Sequence, residues 1–474
     1  MNMGMSMPVG DVVPEIVLLV GAVVVLLFAL AAPPRAQRFA APLAVAVVVA
    51  TAVPTLFMLR GPQPLTFFDT YAADDAAVWG KLLVLVVTAV VVVLSSPWFR
   101  GDHREGEYYA LLLLSALGAI ALAAAADLME VLLGVLLSSA TGYVLTAYHR
   151  ASARSAEAGI KYYLLSALTN GAMLYGAVVL FGLGGTTTLL GLRAGLLDAS
   201  PGGVVVAFGL VVLGLAFKMG AVPAHAWMPD VADGAPAPVA AFLTAAPKVG
   251  ALIALGRLVA VVPADVDWRP VVAGLAAATM TLGNLAALWQ DDVRRLLGWS
   301  AVSQTGYALM AVLALGRSDL AVSALLYFLA GYLLANLAAF GVVVELRGRA
   351  DLDGYRGLAG GHPLLAASLL VAFLSFVGIP PLAGFVGKLT VFTAAVDAGY
   401  AWLAVLAVVN SVVSLAYYLR VLTPAYFERV EAPLPVLAQS AATVTLACAA
   451  LLVVVGVGAG PVLDWLAPAR LLPG

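Results

Sequence analysis

The chain has 474 residues, of which 63% are hydrophobic and only 11% charged. A soluble domain carries roughly a quarter charged residues, so this composition excludes a water-soluble globule, and at roughly 20 residues per crossing its apolar content fills about fourteen membrane-spanning helices with no extramembrane domain left over. The net charge of −2 excludes a polycationic nucleic-acid binder, and the single cysteine, Cys448, excludes a disulfide framework, a thiolate metal site or an iron–sulfur cluster held by this chain.

The first apolar run, about 12–32, is longer than a signal-peptide core and is preceded by no Lys or Arg, so it reads as a retained first span. Further spans are expected at 38–60, 79–98, 107–124, 125–149, 159–184, 204–232, 237–262, 268–290, 297–316, 319–346, 361–395, 400–427 and 434–468. Asp11 and Glu15 flank the first span on one side and Arg35 and Arg38 on the other, which puts the N-terminus outside. Alternating the loops from there gives the inner side about twice the basic residues of the outer side, which holds Arg60, Lys81, Arg193, Arg257, Arg269, Arg317 and Arg470. Both termini are therefore expected outside. The spans group as an N-terminal three-helix segment (1–106), two five-helix units (107–262 and 268–428) and a C-terminal helix (429–474). Five is odd, so the second unit starts from the opposite side, which makes an inverted repeat. The expected fold class is an all-α polytopic membrane protein with about fourteen transmembrane helices.

Lys218, Lys248 and Lys388 lie inside apolar segments, LGLAFKMGAV, FLTAAPKVGAL and GFVGKLTVF. A lysine near the bilayer centre costs about 2.5–3.5 kcal/mol on insertion scales. Snorkelling from a helix end is the competing reading for any one of them, but it fits three together poorly. Lys218 is followed by Gly220, Pro223 and Pro229, and Lys388 is preceded by Gly378, Pro380, Pro381, Gly384 and Gly387. Broken helices at membrane depth free backbone groups that protein or water must satisfy, and transport sites are built that way, although a kink made only for packing is also possible. Both lysines fall in the fourth span of their unit, so the two broken, lysine-bearing helices read as repeat equivalents. A buried amine gains or loses its proton as a carboxylate approaches or retreats, which is what a proton relay requires.

Three stretches carry a family resemblance: SAEAGIKYYLLSALTNGAMLYG (155–176), FKMGAVPAHAWMPDVADGAPAPVAAFLTAAPKVGA (217–251) and GIPPLAGFVGKLTVFTAAVDAGYAWLAVLAVVNSVVSLAYYLRV (378–421), with QDDVRRLLGWSAVSQTGY (290–307) in support. With these motifs the chain resembles the antiporter-like membrane subunits of proton-pumping NADH:quinone oxidoreductase, respiratory complex I. The D-x-x-x-G-A-P-x-P-V form from Asp230 to Val239 favours subunit N over its paralogues L and M. Carried over residue by residue, the resemblance implies that Lys218 serves the input half-channel, Lys248 connects the two halves and Lys388 serves the output half-channel. It also implies a multi-pass protein of a bacterial inner membrane, packed beside other membrane-arm subunits, the antiporter-like M subunit and small membrane subunits among them. This chain would hold no cofactor; NADH, flavin, iron–sulfur clusters and quinone would belong to partner subunits.

One position departs from the family, which places a fifth-span Glu to pair with the seventh-span lysine. Alignment of LLGVLLSSATGYVL (132–145) puts Leu136 there. The nearest acid, Glu130, is six residues earlier, about 9 Å along an ideal helix and about 120° round from it. Either Glu130 acts from a shifted site, or the pairing with Lys218 is lost, or the register differs.

Other polar residues are weaker candidates. His225 could relay protons or simply bond the backbone of the broken helix. Glu157 and Lys161, spaced i, i+4, read first as a surface pair. Asp230 and Asp127 read as helix-end residues, and Asn284, Ser303, Gln304, Tyr307 and Asn336 as helix-to-helix hydrogen-bonding groups. The rival functions are a subunit of a multi-subunit sodium/proton antiporter and a structural paralogue that occupies the membrane arm without pumping.

Overall fold

The computed structural model describes residues 8–59, 61, 64–429, 435 and 437–472, so Arg60 and the expected start of the last span at 434 lie outside the described residues. In lipid the backbone must satisfy its own hydrogen bonds, and the chain does so almost entirely with helices. The N-terminal segment forms α1 (Val13–Ala31), α2 (Ala40–Met58) and α3 (Asp75–Phe99). It is followed by α4 (Glu105–Ala124), α5 (Leu128–Thr146), α6 (Ala153–Gly184), the short α7 (Leu189–Gly195), α8 (Pro201–Met219), α9 (Trp227–Gly234), α10 (Ala237–Leu243) and α11 (Ala246–Ala260). The remainder comprises α12 (Arg269–Leu288), α13 (Val293–Ala314), α14 (Ala321–Glu345), the short α15 (Leu358–Gly361), α16 (Pro363–Val377), α17 (Ala383–Asp397), α18 (Ala401–Phe427), α19 (Gln439–Val457) and α20 (Ala459–Leu466). Among the described residues, 13 helical stretches are long and apolar enough to cross a membrane, one of them α10 with α11, and the short helices α16 and α17 together cover the expected crossing at 361–395.

Loop contacts sort the helix ends into two groups. At one end, Tyr71 bonds the Asp11 carbonyl, Tyr71 bridges to Ala125, Asp127 bridges to Thr188, and Arg257 reaches Asp74 and the carbonyl of Leu472. Residues near both chain ends therefore lie on the same side. At the other end, Gln37 accepts from the Gly106 amide, Asp292 bridges to Asp351, Arg154 faces Asp233 and Arg420 holds Asp291. Helices at this depth start where a side chain can take up free amides: Asp74, Asp127 and Asp292 accept from Ala77, Met129 and Arg295, at 2.8, 2.7 and 2.9 Å. Asp127 is thus the helix-end residue its sequence position suggested.

The core is made by α10, α11, α13 and α14, whose side chains are buried all round, whereas α1, α2, α6, α18 and α19 expose apolar faces. The most deeply buried helices are those around Lys248.

Three expected spans are interrupted. α8 ends in a left-handed Gly220 (φ 73°), and α16 in a left-handed Gly378 (φ 92°), a conformation that glycine reaches without a Cβ clash. Prolines at 223 and 380–381, which carry no amide hydrogen to bond the preceding turn, then keep the chain from resuming as a helix at once. The third interruption, at Thr244–Ala245 between α10 and α11, carries no such glycine–proline signal before it. The lysines do not share a place on these two broken helices. Lys218 closes the limb before its break, whereas Lys388 lies in α17, the limb after its break. The breaks correspond; the lysines stand on opposite limbs.

Candidate functional site

All three sequence-predicted lysines are buried, at 1% exposure for Lys218 and Lys248 and 4% for Lys388. The end of α8 points the Lys218 ammonium at α5 and α6, where it donates to Ser139 Oγ (3.1 Å) and Tyr162 OH (3.5 Å). Tyr162 is held by stacking on Trp227 of α9, with ring centroids 4.5 Å apart, and the Trp227 Nε1–H donates to the Phe217 carbonyl (2.8 Å). The two limbs of the broken helix therefore fix Tyr162 between them. On α5 and α6, Tyr143 donates to Ser166 (2.5 Å), to which Asn170 also donates (3.1 Å), so a polar face continues from this lysine along the helix pair.

Lys248, in the first turn of α11, donates to the Ala301 carbonyl (2.6 Å) and to Tyr332 OH (3.2 Å), with its ammonium 4.4 Å from the Tyr332 ring centroid. Thr305 donates both to that same Ala301 carbonyl (3.1 Å) and to the carbonyl of Met219, the residue after Lys218 (2.8 Å). α13 thus links the surroundings of the first two lysines through hydrogen-bonding groups. On the other side, Tyr332 and Gln304 line a small cavity of about 10 Å3 with Ser375 and Lys388. Lys388 donates to the Val377 carbonyl (3.1 Å) and Ser411 Oγ (2.9 Å) and lies 4.1 Å from the Tyr307 ring centroid. Ser411 reaches Tyr307 OH (3.4 Å), and Asn284 joins Tyr307 (3.3 Å) to Asn410 (3.1 Å).

Among the described residues, no carboxylate comes within 4.0 Å of any of the three ammonium groups. Their partners are carbonyls, hydroxyls and aromatic faces. An ammonium in such surroundings keeps most of its desolvation cost, so its charge responds strongly to any charge brought close.

The structure does not bring Glu130 to Lys218. Glu130 sits in the first turn of α5, whereas Lys218 meets that helix at Ser139, nine residues later and about 13 Å along the axis. The charges around Glu130 are Glu15, Lys81 and Asp127. Leu136 faces outward at 46% exposure and makes no substitute contact. His225 lies in the α8–α9 break against Trp299, with ring centroids 5.5 Å apart. Its Nδ1 is buried without a hydrogen-bond partner among the described residues.

Three sequence readings need correction. Lys81 and Arg257 read from the sequence as span-end residues, yet both side chains are 0% exposed and paired, Lys81 with Glu15 (2.9 Å) and Arg257 with Asp74 (2.5 Å). α3 begins at Asp75, earlier than expected, which carries Lys81 nearly two turns into the helix. Asp230 does not cap a helix: it bridges Lys161 (3.1 Å) and Arg295 (2.7 Å), and since Lys161 also holds Glu157 (2.6 Å), the expected i, i+4 pair is part of a four-residue network. Asn284 and Asn336 behave as expected, the latter donating to the Ala241 carbonyl (3.0 Å). Ser139, Tyr162, Tyr332 and Ser411 escaped the sequence reading because a hydroxyl in an apolar helix carries no signal until the facing helix is known.

The fold and these buried amines define an all-α polytopic membrane protein built around cations without counter-ions. Comparison with known proteins agrees. A model described as NADH:quinone oxidoreductase/Mrp antiporter, TM, matches residues 125–414. The chain is 44% identical over 468 residues to NADH-quinone oxidoreductase subunit N 1 of Streptomyces griseus, covering 98% of this chain and 99% of that protein. It is 32% identical to a chain of respiratory complex I from Thermus thermophilus with bound aureothin, covering 95% of this chain and 98% of that one with a TM-score of 0.83. A chain of the Mrp complex from Dietzia sp. shares the fold, with a TM-score of 0.86, 22% identity and 97% of each chain covered. The chain belongs to the NADH:quinone oxidoreductase/Mrp antiporter transmembrane family. Among the described residues, no group of three or more His, Cys, Asp or Glu is placed to hold a metal ion.

Proposed function

We propose that this chain is the proton-translocating membrane subunit of an NADH:quinone oxidoreductase, in which Lys218, Lys248 and Lys388 pass protons between two half-channels. The observation that carries the reading is the string of three buried lysines with neutral partners, joined by Thr305, Tyr332 and Gln304. The high identity to subunit N proteins over nearly the full chain supports it. The units 107–262 and 268–428 then serve as input and output halves, with Lys248 between them. Glu130 stands apart from the string, and His225 is a side group at the first break. The free energy comes from quinone reduction in partner subunits, which also carry NADH, flavin and iron–sulfur clusters. Neighbouring antiporter-like and small membrane subunits complete the arm. The chain ends face outward across a bacterial inner membrane, consistent with the excess of basic residues at the opposite end.

The test is substitution of Lys218, Lys248 or Lys388 by Ala in the assembled complex, with proton translocation measured in vesicles alongside NADH:quinone reductase activity. Each variant should assemble and lose most of its translocation. Full pumping by the Lys218 and Lys248 variants would sink the relay. The absence of a carboxylate beside Lys218 supports a second reading, a non-pumping paralogue, and unchanged pumping in all three variants is the outcome that reading requires.

A further inference from the structure

At the end that holds Asp11 and Leu472, the ends of α11, α12, α13 and α14 enclose a cavity of about 650 Å3 that takes no part in the lysine string. Its lining includes Arg193, Arg269 and Arg317 against a single acid, Asp267, together with Trp268 and Val262. Arg269 is the first residue of α12, so its charge adds to the partial positive charge of a helix N-terminus. Its Nη2 donates to the Leu315 carbonyl (2.8 Å), its guanidinium lies 4.6 Å from the Trp268 ring centroid, and its Nε is buried without a partner. Arg317 donates to the Ala398 carbonyl (3.0 Å). These bonds hold the guanidinium groups in place without neutralising them. Among the described residues, no carboxylate lies within 4.0 Å of Arg193, Arg269 or Arg317.

Three like charges around one cavity attract an anion between them, Arg193 and Arg317 from its exposed rim and Arg269 from its half-buried wall, and the guanidinium fork matches the oxygens of a phosphate. Two features point to a lipid as the source. The cavity lies at helix ends beside Trp268, the level at which aromatic residues meet the membrane–water interface and phospholipid phosphates lie. From its rim, α12 exposes Val271, Gly274, Ala278, Leu282 and Leu285, an apolar stripe at helical spacing that a free phosphate would leave unused. We propose that this cavity binds the phosphate head group of an anionic phospholipid whose acyl chains lie along α12.

The experiment uses the assembled complex in nanodiscs that contain a photo-crosslinking phosphatidylglycerol, with label on α12 read by peptide mass spectrometry. The wild type should label α12, and labelling should drop by roughly fivefold for each arginine removed in Arg193→Gln and Arg317→Gln. The Arg193→Lys/Arg317→Lys double variant, which keeps the charge, should retain most of the label. Millimolar inorganic phosphate should not compete. Unchanged labelling in the Gln variants overturns the proposal, as does displacement by inorganic phosphate, which would make free anion the ligand. Absence of α12 label in the assembled complex overturns it as well, since a partner subunit would then fill the cavity.

Discussion

Two sets of cations are equally hidden from water in this protein and differ in their company. Near the end that holds Asp11 and Leu472, Lys81 sits on Glu15 and Tyr71, and Arg257 is gripped by both oxygens of Asp74, at 2.5 and 2.7 Å. Deeper in the helices, Lys218, Lys248 and Lys388 meet, among the described residues, only neutral oxygens and rings. A cation locked to a carboxylate keeps its charge and holds helices together. A cation among dipoles has a charge that its surroundings can switch. Burial alone therefore does not separate a structural cation from a working one; the partner does.

The sharpest way to break this contrast is Asp74→Ala, which strands Arg257. Removing one partner of a buried pair costs about 3–5 kcal/mol, so the purified complex should show a large drop in thermal unfolding midpoint. An unchanged midpoint would mean that the pair holds nothing. Lys81→Met alone should cost about 1–3 kcal/mol by leaving Glu15 unpaired, and adding Glu15→Gln should recover part of that loss in a double-mutant cycle. Lys248→Met is the counterpart. Its stability change should stay within about 1 kcal/mol, because a carbonyl and a hydroxyl are all it leaves behind, while translocation is lost. Tyr332→Phe keeps the ring beneath Lys248 but removes its hydroxyl bonds, a loss of about 0.6 kcal/mol for a hydrogen bond between membrane helices, and should slow translocation without abolishing it. Glu130→Gln should do least: Lys218-dependent translocation stays unchanged if the two groups are as separate as α5 keeps them, and a loss equal to that of Lys218→Ala would contradict that separation.

The sequence made the broken helices legible because Gly220 and Gly378 with their following prolines are local signals. It also made Lys218, Lys248 and Lys388 legible, because a charge inside a long apolar run stands out at any register. The third interruption, at Thr244–Ala245, has a weaker local signal, Pro247 in the first turn of α11, and packing against α14 completes it, where Tyr332 and Asn336 donate to the carbonyls of Thr244 and Ala241. Lys81 and Arg257 were misplaced for a related reason. A basic residue close to the end of an apolar run reads as solvated unless the acid that buries it is known, and Glu15 and Asp74 lie far away in the chain. Leu136 could be seen as a departure from sequence alone, but its outward direction and the distance of Glu130 depend on the rotation of α5.

The grip on Asp74 also has a consequence for the order in which the chain is made. Asp74 Oδ2 accepts from the Leu472 amide (2.6 Å), Asp75 accepts from the Arg470 amide (3.2 Å), and Arg257 donates to the Leu472 carbonyl. The third helix to leave the ribosome is thus tied to residues made almost four hundred positions later. Until they arrive, Asp74 and Arg257 have an incomplete set of bonds, so closure of this clamp marks a chain whose late segments have been inserted. A chain halted before residue 470 would leave this clamp open.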